Sequence, residues 1–239
     1  MPNADSLVEL VPMERPITNE AGWRGSPDLW LEAAYDALIE SGVEAVRILP
    51  LAKRLDLSRT SFYWFFKDRG ELLDALIARW RDKNTGALLR QTNAYAETIE
   101  EAVLNVFDCW FDCDLFDPAF EFAIRSWALQ SEKVESEVQK ADVLRLRGLS
   151  RMFERFGFGD DIADVRARTI YLVQIGYISI RTHEKTALRL ARVPYYVEAF
   201  TGRAPQHKEL NRFLSRHVED NSFQLNKIIP INEPPSDAS

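Results

Sequence analysis

The sequence predicts an all-α protein, an N-terminal three-helix unit built around a helix-turn-helix and followed by a longer helical bundle. Three observations carry this. Apolar residues recur at intervals of three and four along most of the chain, the spacing of one helix face. Helix-start signals punctuate that pattern: Ser26-Pro27, Ser58, Asp68 with Glu71 three residues on, and Asp117-Pro118. Strand signals, short β-branched runs with period two, are absent.

Residues 1–25 carry Pro2, Pro12 and Pro16 and no sustained periodicity, so a flexible arm is expected there. Arg15 and Arg24 are its only basic residues, which equips it poorly to touch a polyanion. Ser26 then caps a helix with Pro27 at its first position, and Ser41-Gly42 ends it. Leu29, Trp30, Ala33, Ala34, Ala37 and Leu38 form its buried stripe.

Arg47 to Leu72 is the organising stretch. A helix starting near Leu49, with Pro50 in its first turn, buries Leu51, Ala52 and Leu55 on one face. Asp56 stands where the chain must leave that helix, and Asp tolerates the left-handed conformation better than most residues. Ser58 caps a second helix through Arg59, Thr60, Ser61, Phe62, Tyr63 and Trp64, with Phe62 and Phe66 expected in the core. Asp68 caps a third that runs to about Leu89, with Leu72, Leu73, Leu76, Ile77 and Trp80 inward. Helix, short turn, helix is the geometry of a DNA-reading motif.

Charge agrees locally although not globally. The 239-residue chain has net charge −7, yet six basic and two acidic residues lie between Arg47 and Arg69. That surplus of four leaves −11 for the remainder. Non-specific DNA affinity comes mainly from neutralised phosphates, so a basic island on an acidic body suits a DNA reader. The plain alternative is a helical hairpin with an ordinary solvated charged face.

Beyond a polar stretch at Gln91 to Glu97 the helical pattern resumes. Ile99 to Cys113 carries Val103, Val106, Phe107 and Trp110, and Pro118 to about Gln130 carries Phe120, Ala123, Ile124 and Trp127. Lys133 to Phe156 is long and charged and ends at Gly157 and Gly159; Ile162 to about Leu190 follows. Val193 to Phe200 and Lys208 to His217 are expected as short helices, and residues 219–239, rich in Pro, Asn and Ser, as a mobile tail.

Composition narrows the function classes. An apolar share of 46% is that of an ordinary globular protein, and no apolar run reaches the roughly 20 residues of a membrane helix. No signal-peptide pattern opens the chain, and two cysteines four apart make no disulfide framework, so a cytoplasmic protein is expected. Cys109 and Cys113 share a helix face, but His183, His207 and His217 lack metal spacing, so neither a metal nor a cofactor is expected. No catalytic triad, phosphate loop or catalytic carboxylate pair is present, and an enzyme is not indicated.

Gly42-Val43-Glu44-Ala45, Leu51-Ala52-Lys53-Arg54-Leu55, Leu57-Ser58, Phe62 to Arg69 (FYWFFKDR) and Leu72-Leu73-Asp74-Ala75-Leu76 together resemble the N-terminal domain of TetR-family transcriptional repressors. The resemblance covers about residues 28–80. Asp56 replaces its usual turn glycine, Thr60 replaces a small residue, and Pro50 falls early in the second helix. It implies a helix-turn-helix domain at 26–72, with the connecting helix to about 89, and a helical ligand-binding and dimerisation domain at 73–218. It implies double-stranded DNA with a palindromic operator as partner, a small-molecule effector, and repression released by that effector. Arg59, Thr60 and Ser61 would open the recognition helix, and Tyr63, Trp64, Lys67 and Arg69 would hold phosphates, with Arg47 at the entry to the second helix. Phe65 stands where relatives carry histidine or another aromatic. The homodimer would form through helices at about 133–156 and 162–190, with Gly176 and Ser179 permitting close approach.

The ligand domain the resemblance implies gives the aromatics after Phe107 two readings. They are core, or they line a cavity between helices. The expected pocket set is Phe107, Trp110, Phe111, Trp127 and Tyr171, with Arg125, Gln174 and Tyr177 as orienting polar groups. A different class remains beside this one, an all-α small-molecule-binding protein without DNA binding.

Overall fold

The structure is a computed structural model and describes residues 25–182 and 184–217. The expected arm and tail fall outside the described residues, apart from Gly25. All regular structure among the described residues is helical: α1 Pro27–Ser41, α2 Ile48–Arg54, α3 Arg59–Phe62, α4 Arg69–Trp80, α5 Gly86–Asn93, α6 Ile99–Phe111, α7 Pro118–Ala128, α8 Glu132–Arg155, α9 Asp160–Ile180, α10 Thr186–Thr201 and α11 His207–His217. None of these helices is long and apolar enough to cross a membrane.

The start signals act as their side chains dictate. Ser26, Ser58, Asp68 and Asp117 accept from the backbone N–H three residues on (Leu29, Ser61, Glu71 and Phe120), satisfying donors that a helix start leaves orphaned. Glu71 reaches back to the Lys67 N–H at 2.5 Å, one residue outside the usual capping box. Asp56 has φ 53°, so it does make the left-handed turn between α2 and α3.

The N-terminal helices pack around Trp30, Phe62 and Leu72, all fully buried. Trp30 meets Phe62 edge-on at 5.2 Å, and Phe62 stacks on Phe66 at 5.5 Å. This core does not close at Leu72. Leu73, Leu76, Ile77 and Trp80 continue it onto Phe120 and Ile124 of α7 and Val134, Val138 and Ala141 of α8. A second core joins α5, α6, the C-terminal half of α8 and the length of α9 to α10 and α11 through Phe107, Phe153, Ile170, Val197 and Phe213.

Four elements differ from the sequence pattern. The α-helix of α3 stops at Phe62, two residues short, because Tyr63, Trp64 and Phe65 bond back to carbonyls three residues earlier. That tighter turn lets both Phe62 and Phe66 reach the core, and the aromatic run has little helix propensity to resist it. The connecting helix passes Leu89 and runs to Asn93, broken by a π-helical turn at Arg81–Thr85. The wider turn carries Asn84 and Thr85 inward, where both are buried.

The helix expected at 162–190 ends at Ile180. Arg181 takes the left-handed conformation at φ 54°, and the Arg181 and Thr182 N–H groups close on the Ile178 and Tyr177 carbonyls. With no Gly or Pro there, the sequence carries no strong stop signal. The residues after the break start α10 at Thr186, so the short helix expected at 193–200 is the C-terminal half of a 16-residue one. Pro194 sits inside it at the loss of one backbone bond, and Gly202 at φ 79° ends it.

Candidate nucleic-acid interface and interior cavity

The basic island of α2 and α3 is sorted by its partners. Arg54 is taken by α1: its guanidinium lies 2.6 Å from Glu40 and 3.7 Å from Asp36. Arg69 is turned inward, donating from Nε to the Val46 carbonyl (2.6 Å) and from Nη2 to the Val43 carbonyl (2.7 Å). It therefore braces the 3₁₀ turn Val43–Ala45 at the entrance of α2, and these donors are unavailable to a phosphate. Ser61 is buried; its Oγ donates to the Ser58 carbonyl at 2.7 Å, so its side chain shapes the start of α3.

The others stay outward. Arg59, Thr60, Tyr63, Trp64 and Lys67 are all exposed, Trp64 by 64%. Arg59 donates to the Tyr63 hydroxyl at 3.2 Å with its guanidinium over that ring, which aims both side chains along one face. Arg47 is exposed and 3.7 Å from Glu44, a surface pair that solvent largely screens. Among the described residues Lys53, Arg59 and Lys67 form no ion pair. The sequence thus placed eight residues in one interface; the fold brings six to the surface and turns Ser61 and Arg69 into supports.

The body contains a cavity of about 560 Å³ between α1, α6, α7, α9 and the start of α10. That lies in the range of small-molecule sites. Trp110, Phe111, Trp127, Gln174 and Tyr177 of the expected set line it, together with Phe116, Phe122, Cys109 and Cys113. Leu38, Ile39, Gly42 and Val43 form its wall at the end of α1. Phe107 instead lines a smaller void of about 40 Å³ beside it, which shares Trp110, Phe111, Gln174 and Tyr177.

Arg125 and Tyr171 line neither space and belong to a buried polar network beneath the connecting helix. At its centre is Glu121, fully buried, accepting from Arg145 Nη1 (2.7 Å) and Nη2 (3.1 Å), Arg125 Nε (2.9 Å), Trp80 Nε1 (2.7 Å) and Asn84 Nδ2 (3.0 Å). Arg145 is equally buried and donates also to Thr85 Oγ1 (2.9 Å) and the Tyr171 hydroxyl (3.1 Å). Arg125 and Tyr171 converge on Asp142. Burial alone pushes the Glu121 carboxyl up, but the two guanidiniums and the Asn84 amide outweigh it and hold it at about 2. Burial likewise pushes the Tyr171 hydroxyl well above its ordinary value.

The sequence reading missed Glu121 and Arg145, and Arg181 and Arg189 of the cavity wall. Arg145 had a signal: it falls in the stripe Val134, Val138, Ala141, Leu149 and Met152, where a charge must be buried or paired. Arg181 had none, because it reaches the cavity only through the unforeseen end of α9.

A helix-turn-helix with an outward basic face, braced by the connecting helix of a larger helical body, defines a DNA-binding transcriptional regulator. Residues 31–76 match the family model described as bacterial regulatory proteins, tetR family, which supports a TetR-type DNA-binding head on this chain. No curated protein and no solved structure gives a match.

Proposed function

We propose that the protein is a homodimeric cytoplasmic repressor that leaves a palindromic operator when a small molecule enters the 560 Å³ cavity. One observation carries the ligand response: the cavity wall is shared between the body and the end of α1. Helix α1 packs on α2 and α4 around Trp30, so an occupant that pushes on Ile39 or Val43 bears on the position of the reading helices. A ligand that binds better when the heads are mis-spaced must weaken DNA binding by the same coupling free energy.

Within the head, residues 26–72, Arg59 and Thr60 contact base edges, while Arg47, Tyr63, Trp64 and Lys67 hold phosphates. Ser61 and Arg69 act one step removed, by fixing the start of α3 and the entrance of α2. Dimerisation within residues 73–218 is supported by α9, where Ile162, Val165, Leu172, Val173 and Ile180 are exposed along one stripe that also contains Gly176 and Ser179. Helix α8 adds exposed Val143 and Leu144. Two copies about a twofold axis would form a four-helix bundle and present two reading helices to successive major grooves.

The test is selection of binding sites from random duplexes with the full chain, then gel shift of the selected site. Arg59→Ala with Lys67→Ala is expected to lower affinity at least a hundredfold while the dimer stays folded. Lys67→Ala alone should reduce the slope of log affinity against log salt by about one. Unchanged affinity in the double variant would remove the assignment of α3 as the reading helix.

A further inference from the structure

Among the described residues, the walls of the large cavity contain two cations and no anion. Of the described residues that line it only Arg181 and Arg189 are charged; no described Asp, Glu or Lys takes part. Several other arginines of the body are paired with carboxylates, although Arg155 and Arg166, like these two, lie on aromatic rings without one among the described residues. Arg125, Arg145, Arg168, Arg192, Arg212 and Arg216 each meet a carboxylate within 3 Å. Among the described residues Arg181 and Arg189 meet none. Arg181 lies with its guanidinium 5.3 Å from the centre of the Phe122 ring, and that guanidinium makes no hydrogen bond to a described residue. Arg189 lies 4.8 Å over Phe111 and gives Nη2 to the Trp110 carbonyl at 3.0 Å, leaving its remaining donors uncommitted. Phe111 and Phe122 are themselves cavity walls, so both cations are laid along the lining.

The rest of the lining is apolar and aromatic, with Phe116, Trp110 and Trp127 in the interior and neutral hydrogen-bonding groups at Ser126, Gln130, Gln174, Tyr177, Thr182 and Thr186. Glu184, the nearest acid along the chain, does not line the cavity and is occupied by Arg192 at 2.6 Å. A guanidinium is a planar fork that matches a carboxylate, and on an aromatic face at a partly desolvated site that pairing strengthens. A cationic ligand would meet two like charges here and no counter-charge.

We infer that the effector is an organic carboxylate, its anionic group held between Arg181 and Arg189 at the α9–α10 junction and its apolar or aromatic body against Trp110, Phe116, Phe122 and Trp127. The inference rests on the cavity being the effector site, and it names the chemistry of that effector. It also assigns a role to the end of α9: stopping the helix at Ile180 is what lets Arg181 turn over Phe122.

The experiment is calorimetric titration of the full chain with two matched sets of probes, 2-naphthoate, 2-naphthalenemethanol and 2-naphthylmethylamine, and decanoate, decanol and decylamine. In at least one set the carboxylate is expected to bind at least tenfold more tightly than the alcohol, with the amine weakest. Arg189→Gln should erase that preference while leaving the affinity for the alcohol within twofold. Arg189 also holds the Trp110 carbonyl, so Arg181→Gln, which breaks no hydrogen bond, serves as the second variant and should lower carboxylate affinity at least fivefold. Equal binding of carboxylate and alcohol, tighter binding of an amine, no binding by any probe, or a preference untouched by Arg181→Gln would each overturn the inference. Gel shift on the selected DNA with the tightest probe separates the two claims. Alcohol-type probes that bind and release DNA would leave the effector reading standing and the carboxylate inference fallen. A carboxylate that binds through the arginines without releasing DNA would do the reverse.

Discussion

Replacing Arg145 by Met should be among the most damaging single changes outside the reading helices. Glu121 and Arg145 are both fully buried, and they share two hydrogen bonds of 2.7 and 3.1 Å. Removing one partner of a buried pair costs about 3–5 kcal/mol, because the other charge is left without its counter-charge in a low-dielectric interior. Here Arg125, Trp80 and Asn84 still reach Glu121, which favours the lower end of that range. The Thr85 and Tyr171 hydroxyls lose a donor as well. At about 2–4 °C per kcal/mol for a chain of this size, the expected fall in Tm is roughly 10 °C.

Circular dichroism melts and urea titrations at pH 7 would measure this, with Glu121→Gln and the double variant completing a cycle. The double variant should lie within about 2 kcal/mol of the parent, giving a coupling energy of at least about 2 kcal/mol. Destabilisation under about 1 kcal/mol for Arg145→Met, or additivity of the two single changes, would refute the reasoning. Acid titration gives an independent reading. The Glu121 carboxyl is held at about 2 in the fold against 4.5 in the unfolded chain. A depressed carboxyl stabilises above the unfolded value, and that contribution, about 3 kcal/mol, drains away as pH falls from 4.5 toward 2. Glu121→Gln should flatten the loss of stability across that window.

Three further outcomes follow from local geometry. Asp56→Gly should be neutral or stabilise by up to about 1 kcal/mol because φ 53° costs a glycine nothing, whereas Asp56→Val should destabilise by about 1–2 kcal/mol, read from urea midpoints. Leu172→Glu with Val165→Glu should turn the proposed dimer into a monomer in sedimentation velocity without changing the far-ultraviolet spectrum, since both side chains are 61% exposed in the single chain. Burial pushes the Cys109 thiol up to about 12 while Cys113 is exposed, so a disulfide reagent at pH 8 should modify one thiol in the folded chain and two in urea.

Much of this was legible from local chemistry. The caps at Ser26, Ser58, Asp68 and Asp117, the left-handed Asp56 and the burial of Phe62 and Phe66 each follow from neighbours within a few residues, and the sequence displays them. The limits lay where a distant partner decided. Ser61 and Arg69 have the composition of DNA contacts, yet Ser61 turns to its own cap and Arg69 to the Val43 and Val46 carbonyls 26 and 23 residues away. Arg125 has the look of a ligand-orienting group beside an apolar stripe, but Asp142 and the buried Glu121 claim it.

What the sequence by itself determined is the class of fold and the reading head, because helix periodicity, capping and a basic cluster are short-range properties. The position of the cavity, the arginines at its edge and the buried Glu121–Arg145 pair were decided by the tertiary structure alone. Those features depend on a π turn at Arg81–Thr85 and an end to α9 at Ile180. Gly86 follows the π turn, and no glycine or proline stands at the end of α9. At both places a contact with a distant element, Thr85 with Arg145 and Arg181 with Phe122, accompanies the departure from a regular helix, and such long-range contacts are not visible in local sequence.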